Sequence, residues 1–308
     1  MTPSKSRCWK RAASKPSYAA RRVRAHRQRA ARGFIENAFV AARAAEDLAE
    51  RLEAVNRSFG PTLAIGAPAL FRDALEARPA LKARIGPLFE MDNVAALTGG
   101  VAAESEHLPF AEQSFGLIVS NLVLHWTNDL PGAFVQARRA LKPDGLFVAA
   151  LLGGRSLHEL RDSLLAAEIE VRGGAGPRVS PTADAPDIGR LLQRAGFALP
   201  VADSDTIAVR YENPLRLLTD LRAMGETNAL AAAEKPLTRA VLFRALEIYR
   251  ERFGGADGRV AATFEIVTAT GWAPHESQQK PLRPGSAKAS LAEALGVKEQ
   301  SAGEKAGE

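Results

Sequence analysis

Hydrophobic and polar positions change their period along this chain, and the changes mark out its elements. Leu117-Ile118-Val119 is an apolar run without alternation, the pattern of a strand covered on both faces, and Ser120-Asn121 follow at its expected carboxyl end. Asn128-Asp129-Leu130-Pro131 supplies capping side chains and a φ-restricted proline, and Phe134, Ala137 and Leu141 then recur at helical spacing. Lys142-Pro143-Asp144-Gly145 is expected to stop that helix as a turn, before a second buried-strand run at 146–152. Strand, short helix and strand of this size suit a right-handed crossover in a parallel sheet, whose ligands sit beyond the strand carboxyl ends.

The same reading extends both ways. Residues 30–58 predict one helical lead-in with a stripe at Phe39, Ala42, Leu48, Leu52 and Val55. Thr62 to Gly66 predicts a first strand, 69–77 a helix, and 85–91 a second strand with Asp92 at its tip; 101–109 is a crossing segment. Residues 156–171 predict an amphipathic helix with Leu157, Leu160, Leu164, Ala167 and Val171 on one face. Helices at 185–195, 214–223 and 238–253 and strands at 201–211 and 260–270 complete the pattern, and no internal repeat is evident. The predicted class is a parallel α/β sheet.

Composition narrows the setting. With 308 residues, 46% of them hydrophobic, the chain is long enough to bury a real core, and no apolar run approaches the roughly 18 residues that span a bilayer. Its one cysteine, Cys8, cannot form an internal disulfide framework or a cysteine-rich metal site. The net charge of +6 is unevenly placed: residues 1–33 carry eleven Lys and Arg and no acid, so the remainder is net −5. The basic character therefore belongs to an arm, and the whole chain does not read as a DNA binder. The arm reads as a solvated tail leading into a helix; an organelle-targeting presequence and an RNA- or partner-binding arm are the alternatives. The compartment would be the cytoplasm in a bacterium or the mitochondrial matrix in a eukaryote.

A glycine after the first strand, an acid after the second and polar groups after the fourth are the parts of an adenosine site: the acid can accept both ribose hydroxyls. On order and spacing the chain resembles a class I S-adenosylmethionine-dependent methyltransferase. Within that superfamily, HLPFAEQSFGLIVSNLVLHWTNDLPGAFVQARRALKPDGLFVAALLGG, SLHELRDSLLAAEIEVRGGAGPRVSP, LLQRAGF, DLRAMGETNA and TFEIVTATGWAPHESQQKPLRPGSA resemble the methyltransferase-fold assembly factors of respiratory complex I, over about residues 21–287. The malonyl-carrier-protein methyltransferase of biotin synthesis is a more distant likeness.

The resemblance implies a Rossmann-like, seven-stranded, mostly parallel sheet with one antiparallel strand and helical elaborations. It implies S-adenosylmethionine as cofactor and a protein client, the iron–sulfur subunit of complex I, modified by methylation or arginine hydroxylation; a non-catalytic assembly chaperone and a small-molecule or carrier-protein methyltransferase are the rival readings. The expected organisation is a basic mobile arm (1–29), the helical lead-in (30–58), a ligand-binding half (59–154), the remaining sheet with a helical cap (155–275) and a mobile tail (276–308).

Candidate cofactor contacts are Gly66, Ala67, Asp92, Glu104, Ser120 and Asn121, with Glu106 competing for the role of Glu104. His125, able to exchange a proton near neutral pH, and Asp129 are the candidate catalytic groups. Trp126, Glu159, Arg161, Arg178, Glu226 and Asn228 are candidates for contact with a client, as is the His275-Glu276-Ser277 segment. No metal-ligand spacing is evident. The chain departs from the superfamily at its first loop, where Ala64-Ile65-Gly66-Ala67-Pro68-Ala69-Leu70 keeps one glycine of three and lacks the leading acid, and at Gly116, where relatives carry aspartate. Pro68 removes an amide donor and Leu70 is expected to add bulk to the ligand space. A working site demands an open pocket between Gly66 and Asn121.

Overall fold

The computed structural model describes residues 17–231, 236–279 and 296. In chain order the elements are α1 (Ala20–Ala30), α2 (Phe34–Asn37), α3 (Phe39–Ala54), β1 (Thr62–Ile65), α4 (Pro68–Glu76), α5 (Pro79–Lys82), β2 (Leu88–Asp92), β3 (Val101–Ala102) and β4 (Phe115–Asn121). They continue as α6 (Leu130–Ala140), β5 (Leu141–Leu152), α7 (His158–Arg172), α8 (Ala185–Arg194), β6 (Ala198–Tyr211), α9 (Pro214–Ala223), α10 (Arg239–Phe253) and β7 (Val260–Trp272). The strands form one seven-stranded sheet in the order β3-β2-β1-β4-β5-β7-β6, in which β7 pairs antiparallel with both neighbours and the other pairings are parallel. Residues from His275 onward form a separate unit.

Burial on both faces explains the unalternating apolar runs. Along β4 and β5, Leu117, Val119, Leu146 and Val148 pack on one side with Leu48 of α3, Phe71 of α4 and Leu164 of α7. Ile118, Phe147 and Ala149 pack on the other side with Phe134 of α6 and Leu192 of α8. A strand between two helical layers has no solvent face to mark with polar residues. Glycine at 116 has a packing reason: a Cβ there would lie 2.7 Å from the Gly60 nitrogen.

Several expected boundaries move. The lead-in is a short 3-10 turn at 31–33 followed by α2 and α3 rather than one helix; the buried stripe of α3 is Val40, Ala41, Ala44, Ala45, Leu48, Ala49 and Leu52, and Phe39 is exposed. Part of the arm expected to be mobile is the ordered helix α1, in which Arg27 is 2% exposed. Lys142 to Gly145 does not separate helix from strand: β5 begins at Leu141 and carries these residues as a bulge, Asp144 adopting φ +62°. β2 starts at Leu88 because Pro87 has no amide to donate, and Ile85 makes only an isolated bridge with Phe59. The two-residue β3 falls inside the expected crossing segment, and Val171 of α7 is exposed. The rest of the expected tail, and residues 1–16, lie outside the described residues.

Candidate functional site

At the carboxyl ends of β1, β2 and β4 the chain assembles a polar cleft and then closes it. Gly66 takes φ +80° at the end of β1, and a Cβ on it would lie 2.4 Å from the Asn121 carbonyl oxygen, so only glycine fits between the two strand ends. Ala67 follows with φ 45°, and its amide donates to Asp92 Oδ2 at 2.8 Å. Asp92 is fully buried at the tip of β2; Oδ1 accepts from the Val94 amide at 3.0 Å, and Oδ2 also accepts from Arg27 Nη2 at 2.7 Å. Arg27 Nε reaches Asn93 Oδ1 at 3.1 Å, and its guanidinium lies 5.8 Å from the Phe34 ring centroid. The acid expected to face a ribose is thus engaged by an arginine from the basic arm.

The space between Ala67, Asn121, Phe34 and Met224 is about 20 Å³. That admits about one water, whereas small-molecule sites run to about 300–1,000 Å³. The expected open pocket is closed, and S-adenosylmethionine does not fit these residues as they stand. The plug is not the degenerate loop. Pro68 occupies the first turn of α4, where its missing amide costs no helical hydrogen bond, and Leu70 turns into the core. Arg27 and Phe34, from α1 and α2, fill the space instead.

The polar groups for a ligand are nevertheless present. Ser120 Oγ and Asn121 Oδ1 are buried without a hydrogen-bond partner, while Asn121 Nδ2 donates to the Ala41 carbonyl at 3.0 Å. Beyond Asp92 a chamber of about 140 Å³ remains, lined by Asn93, Glu104, Val123 and Asn128. Glu104 pairs there with Arg24 of α1, and Glu106 accepts from the Asn128 amide.

His125 and Trp126 sit on a short 3-10 turn after β4 and meet a residue a hundred positions away. His125 Nε2 lies 3.0 Å from Glu226 Oε2, and Trp126 Nε1 donates to the same oxygen at 3.1 Å. His125 Nδ1 is buried with no partner. Glu226 therefore fixes both rings, and it borders the closed cleft on one side and a cavity of about 710 Å³ on the other. The cavity walls are largely leucine, from α7 (Leu160, Leu164) and α9 (Leu215, Leu218, Leu221), with Arg178, Arg222 and Asn228 among the polar groups. The pairing of His125 with Glu226 is what sequence reasoning missed, although it singled out each residue.

The remaining candidates divide. Arg178 holds the rim of the large cavity through Glu168, 1% exposed, whose Oε1 lies 3.0 Å from Arg178 Nε and 3.1 Å from Arg172 Nη1 and whose Oε2 accepts from the Gly176 amide. Burial pushes the Glu168 carboxyl up, but Arg178, the Gly176 amide and Arg172 outweigh it and hold it below the usual carboxylate range. Asn228 Oδ1 accepts from the Leu230 amide at 2.9 Å. Arg161 donates to the Gly154 and Ser156 carbonyls and borders a separate groove with Arg178. Two candidates are engaged in contacts within the fold. Glu159 is 3% exposed and accepts from both the amide and the hydroxyl of Thr263, tying α7 to β7 rather than facing a client. Asp129 caps α6 by accepting from the Gly132 amide at 3.0 Å, a structural use of its carboxylate. His275 makes a local turn with Ser277 Oγ at 2.7 Å. Among the described residues no three His, Cys, Asp or Glu side chains converge as metal ligands, and no helix is long and apolar enough to cross a membrane.

Comparison with known proteins agrees with this geometry. A methyltransferase domain family matches residues 83–149. The sheet order and the reversed β7 match the seven-stranded, Rossmann-like arrangement expected from the sequence, and over this segment the chain is similar to that domain family. The chain is 46% identical over 193 residues to Arginine-hydroxylase NDUFAF5, mitochondrial, of Danio rerio, covering 63% of this chain and 60% of that one. The Homo sapiens protein of the same name is 45% identical over 196 residues, 64% of this chain and 57% of its own. Malonyl-(acyl-carrier protein) O-methyltransferase of Xylella fastidiosa is 36% identical over 174 residues, 56% of this chain and 57% of its own. The match thus spans about 60% of the length of these relatives.

Proposed function

We propose that the chain is an enzyme of the methyltransferase superfamily that modifies a protein client during assembly of respiratory complex I, the client being the iron–sulfur subunit. The observation that carries this reading is the position of Glu226, which lines both the 710 Å³ cavity and the cofactor cleft and anchors His125 and Trp126 in the cavity wall. A client side chain with an apolar stem lies along the leucine walls, and its polar end meets a carboxylate and an imidazole. A cationic end, guanidinium or ammonium, would form a charge-assisted hydrogen bond with Glu226. His125, held by Nε2 on that carboxylate, keeps its other ring nitrogen buried and without a partner. The likeness to proteins named arginine hydroxylases supports arginine as the client residue and hydroxylation as one outcome, which would need dioxygen and a two-electron reductant supplied from outside the chain; methylation, in which the sulfonium methyl passes to the client and S-adenosylhomocysteine leaves, is the other.

The proposed cofactor is S-adenosylmethionine in the cleft bounded by Gly66, Ala67, Asp92, Glu104, Ser120 and Asn121, in a conformation other than the closed one. The relatives' mitochondrial designation supports the matrix as the compartment in a eukaryotic source; in a bacterial source the same client is reached from the cytoplasm. Mass spectrometry of the iron–sulfur subunit after deletion of the gene tests the proposal. Loss of a methyl-sized or oxygen-sized mass on one residue is expected, and an unchanged subunit contradicts it. The Arg27–Asp92 closure favours a second reading, a non-catalytic assembly chaperone. It predicts failed assembly with an unmodified client in the wild type.

A further inference from the structure

Helix α1 is held in the cleft in an unusual manner. Of its eleven residues only Val23, Arg27 and Ala30 are buried, so the ordinary reason for a helix to dock, an apolar stripe, is nearly absent. A small apolar cluster of Tyr18, Val23, Trp126, Ala229 and Leu230 and the Tyr18–Leu230 bridge hold its start, and polar contacts fasten the rest. Arg22 Nη1 donates to the Leu230 carbonyl at 2.8 Å, His26 Nδ1 lies 2.8 Å from Thr227 Oγ1, Arg24 pairs with Glu104, and Arg27 pairs with Asp92. Gly225, at φ +78°, provides the seat: a Cβ there would lie 3.2 Å from Arg27 Cα. A buried ion pair is a weak net fastener, because the desolvation of both charges offsets most of their attraction. Alone in solution, a short helix so rich in like charges is unstable.

We propose that α1 is a latch that competes with the cofactor: the Arg27 guanidinium satisfies the Asp92 carboxylate that the ribose hydroxyls would otherwise meet, and S-adenosylmethionine enters only as α1 withdraws. This rests on the cofactor assignment made above. Two observations point the same way. Asn121 Oδ1, in the lining of the plugged space, is buried without a partner, a polar atom that a ligand could satisfy. The chamber of 140 Å³ at Asn93 and Glu104 persists beyond the plug, so the cleft is interrupted at the ribose position rather than absent along its length. The arm's positive charge, separate from the rest of the chain, is thereby used at two acids of the cleft, Asp92 and Glu104.

A latch and a clamp predict opposite signs. If α1 competes, Arg27→Ala raises the affinity for S-adenosylmethionine by about tenfold or more in titration calorimetry, since the binding-competent fraction rises. In the wild-type chain, adding S-adenosylmethionine then speeds tryptic cleavage after Arg24 and Arg29, residues that α1 itself supplies as reporters. If α1 instead closes over the ligand, Arg27→Ala weakens binding, S-adenosylmethionine slows cleavage, and the latch is overturned while the cofactor assignment stands. Unchanged affinity in Arg27→Ala with unchanged cleavage also overturns the latch alone. No binding at millimolar S-adenosylmethionine by either folded protein overturns the cofactor assignment and the latch with it. Should Arg27→Ala fail to fold, the sign of the cleavage change in the wild type decides.

Discussion

The two chambers that share Glu226 differ in what holds them. The cleft above β1, β2 and β4 is reduced to about 20 Å³ beside Ala67 and Asn121 and is closed by a buried ion pair from the arm. The cavity between α7 and α9 is about 710 Å³, walled by leucines and bordered by a rim that Glu168, Arg172 and Arg178 tie together. An apolar cavity need not collapse when its walls are fixed by helices packed elsewhere in the core, whereas buried charges without a ligand must find partners within the chain. The contrast teaches that different forces shape the two places: helix packing fixes the walls of the leucine-lined chamber, and a basic residue of the arm satisfies the buried acid of the other.

Breaking the pair from its other side has the largest expected effect. Asp92→Ala leaves Arg27 without a counter-charge, and removing one partner of a buried pair costs about 3–5 kcal/mol. Because α1 has few apolar contacts, that cost is expected as undocking of α1 rather than global unfolding. Hydrogen exchange at 20–30 should rise steeply, while the amides of β4 and β5 remain protected. Equal loss of protection in β4 and β5 would show that α1 belongs to the cooperative core.

Filling the other chamber should have a smaller and separable effect. Leu218→Trp places an indole in the cavity wall, with a stability cost of about 1–3 kcal/mol if it overpacks. Client modification is expected to fall at least about tenfold while S-adenosylmethionine affinity is unchanged. A matching loss of cofactor affinity in calorimetry would mean that the two chambers are one site.

The two regions should also respond to acid in different ranges. Burial holds the His26 imidazole below its ordinary range, helped by Arg29, Arg22 and Arg222 and opposed by the Thr227 carbonyl. The neutral form is therefore favoured while α1 is docked, and the docking is strongest above about pH 6.5 and weakens as pH falls from there toward the lowered value. Glu168 behaves differently: its carboxyl is held down, so its contribution to the 173–182 rim is complete above the ordinary carboxylate range and is lost only as pH falls through that lower value. Tryptic cleavage in α1 should thus increase between pH 7.5 and 6, with the rim still protected. Simultaneous loosening of both regions would contradict the assignment.

The sheet was legible from the chain because its strands are covered on both faces, and runs such as 117–119 and 146–152 have no other explanation at that length. The acid at Asp92 was legible for a related reason, since strand tips in parallel sheets face the ligand side. What was not legible was the role of the arm. Periodicity detects helices by their apolar stripe, and α1 buries an arginine where a leucine would give the signal. The bulge at 142–145 was hidden because turn residues also suit a strand irregularity. The His125–Glu226 contact is set by how the segment after α9 folds back against the turn after β4, and no local pattern reports a contact across a hundred residues.

Glu226 is the most direct point of attack on the account. Glu226→Gln keeps the size of the side chain and can still hydrogen-bond Trp126, but it removes the charge that fixes His125 and would receive a cationic client group. The decisive measurement is mass spectrometry of the complex I iron–sulfur subunit from a deletion strain complemented with this variant, beside calorimetry of the purified variant with S-adenosylmethionine. An unmodified client, with the variant still binding S-adenosylmethionine, is expected; a fully modified client would contradict the role given to Glu226.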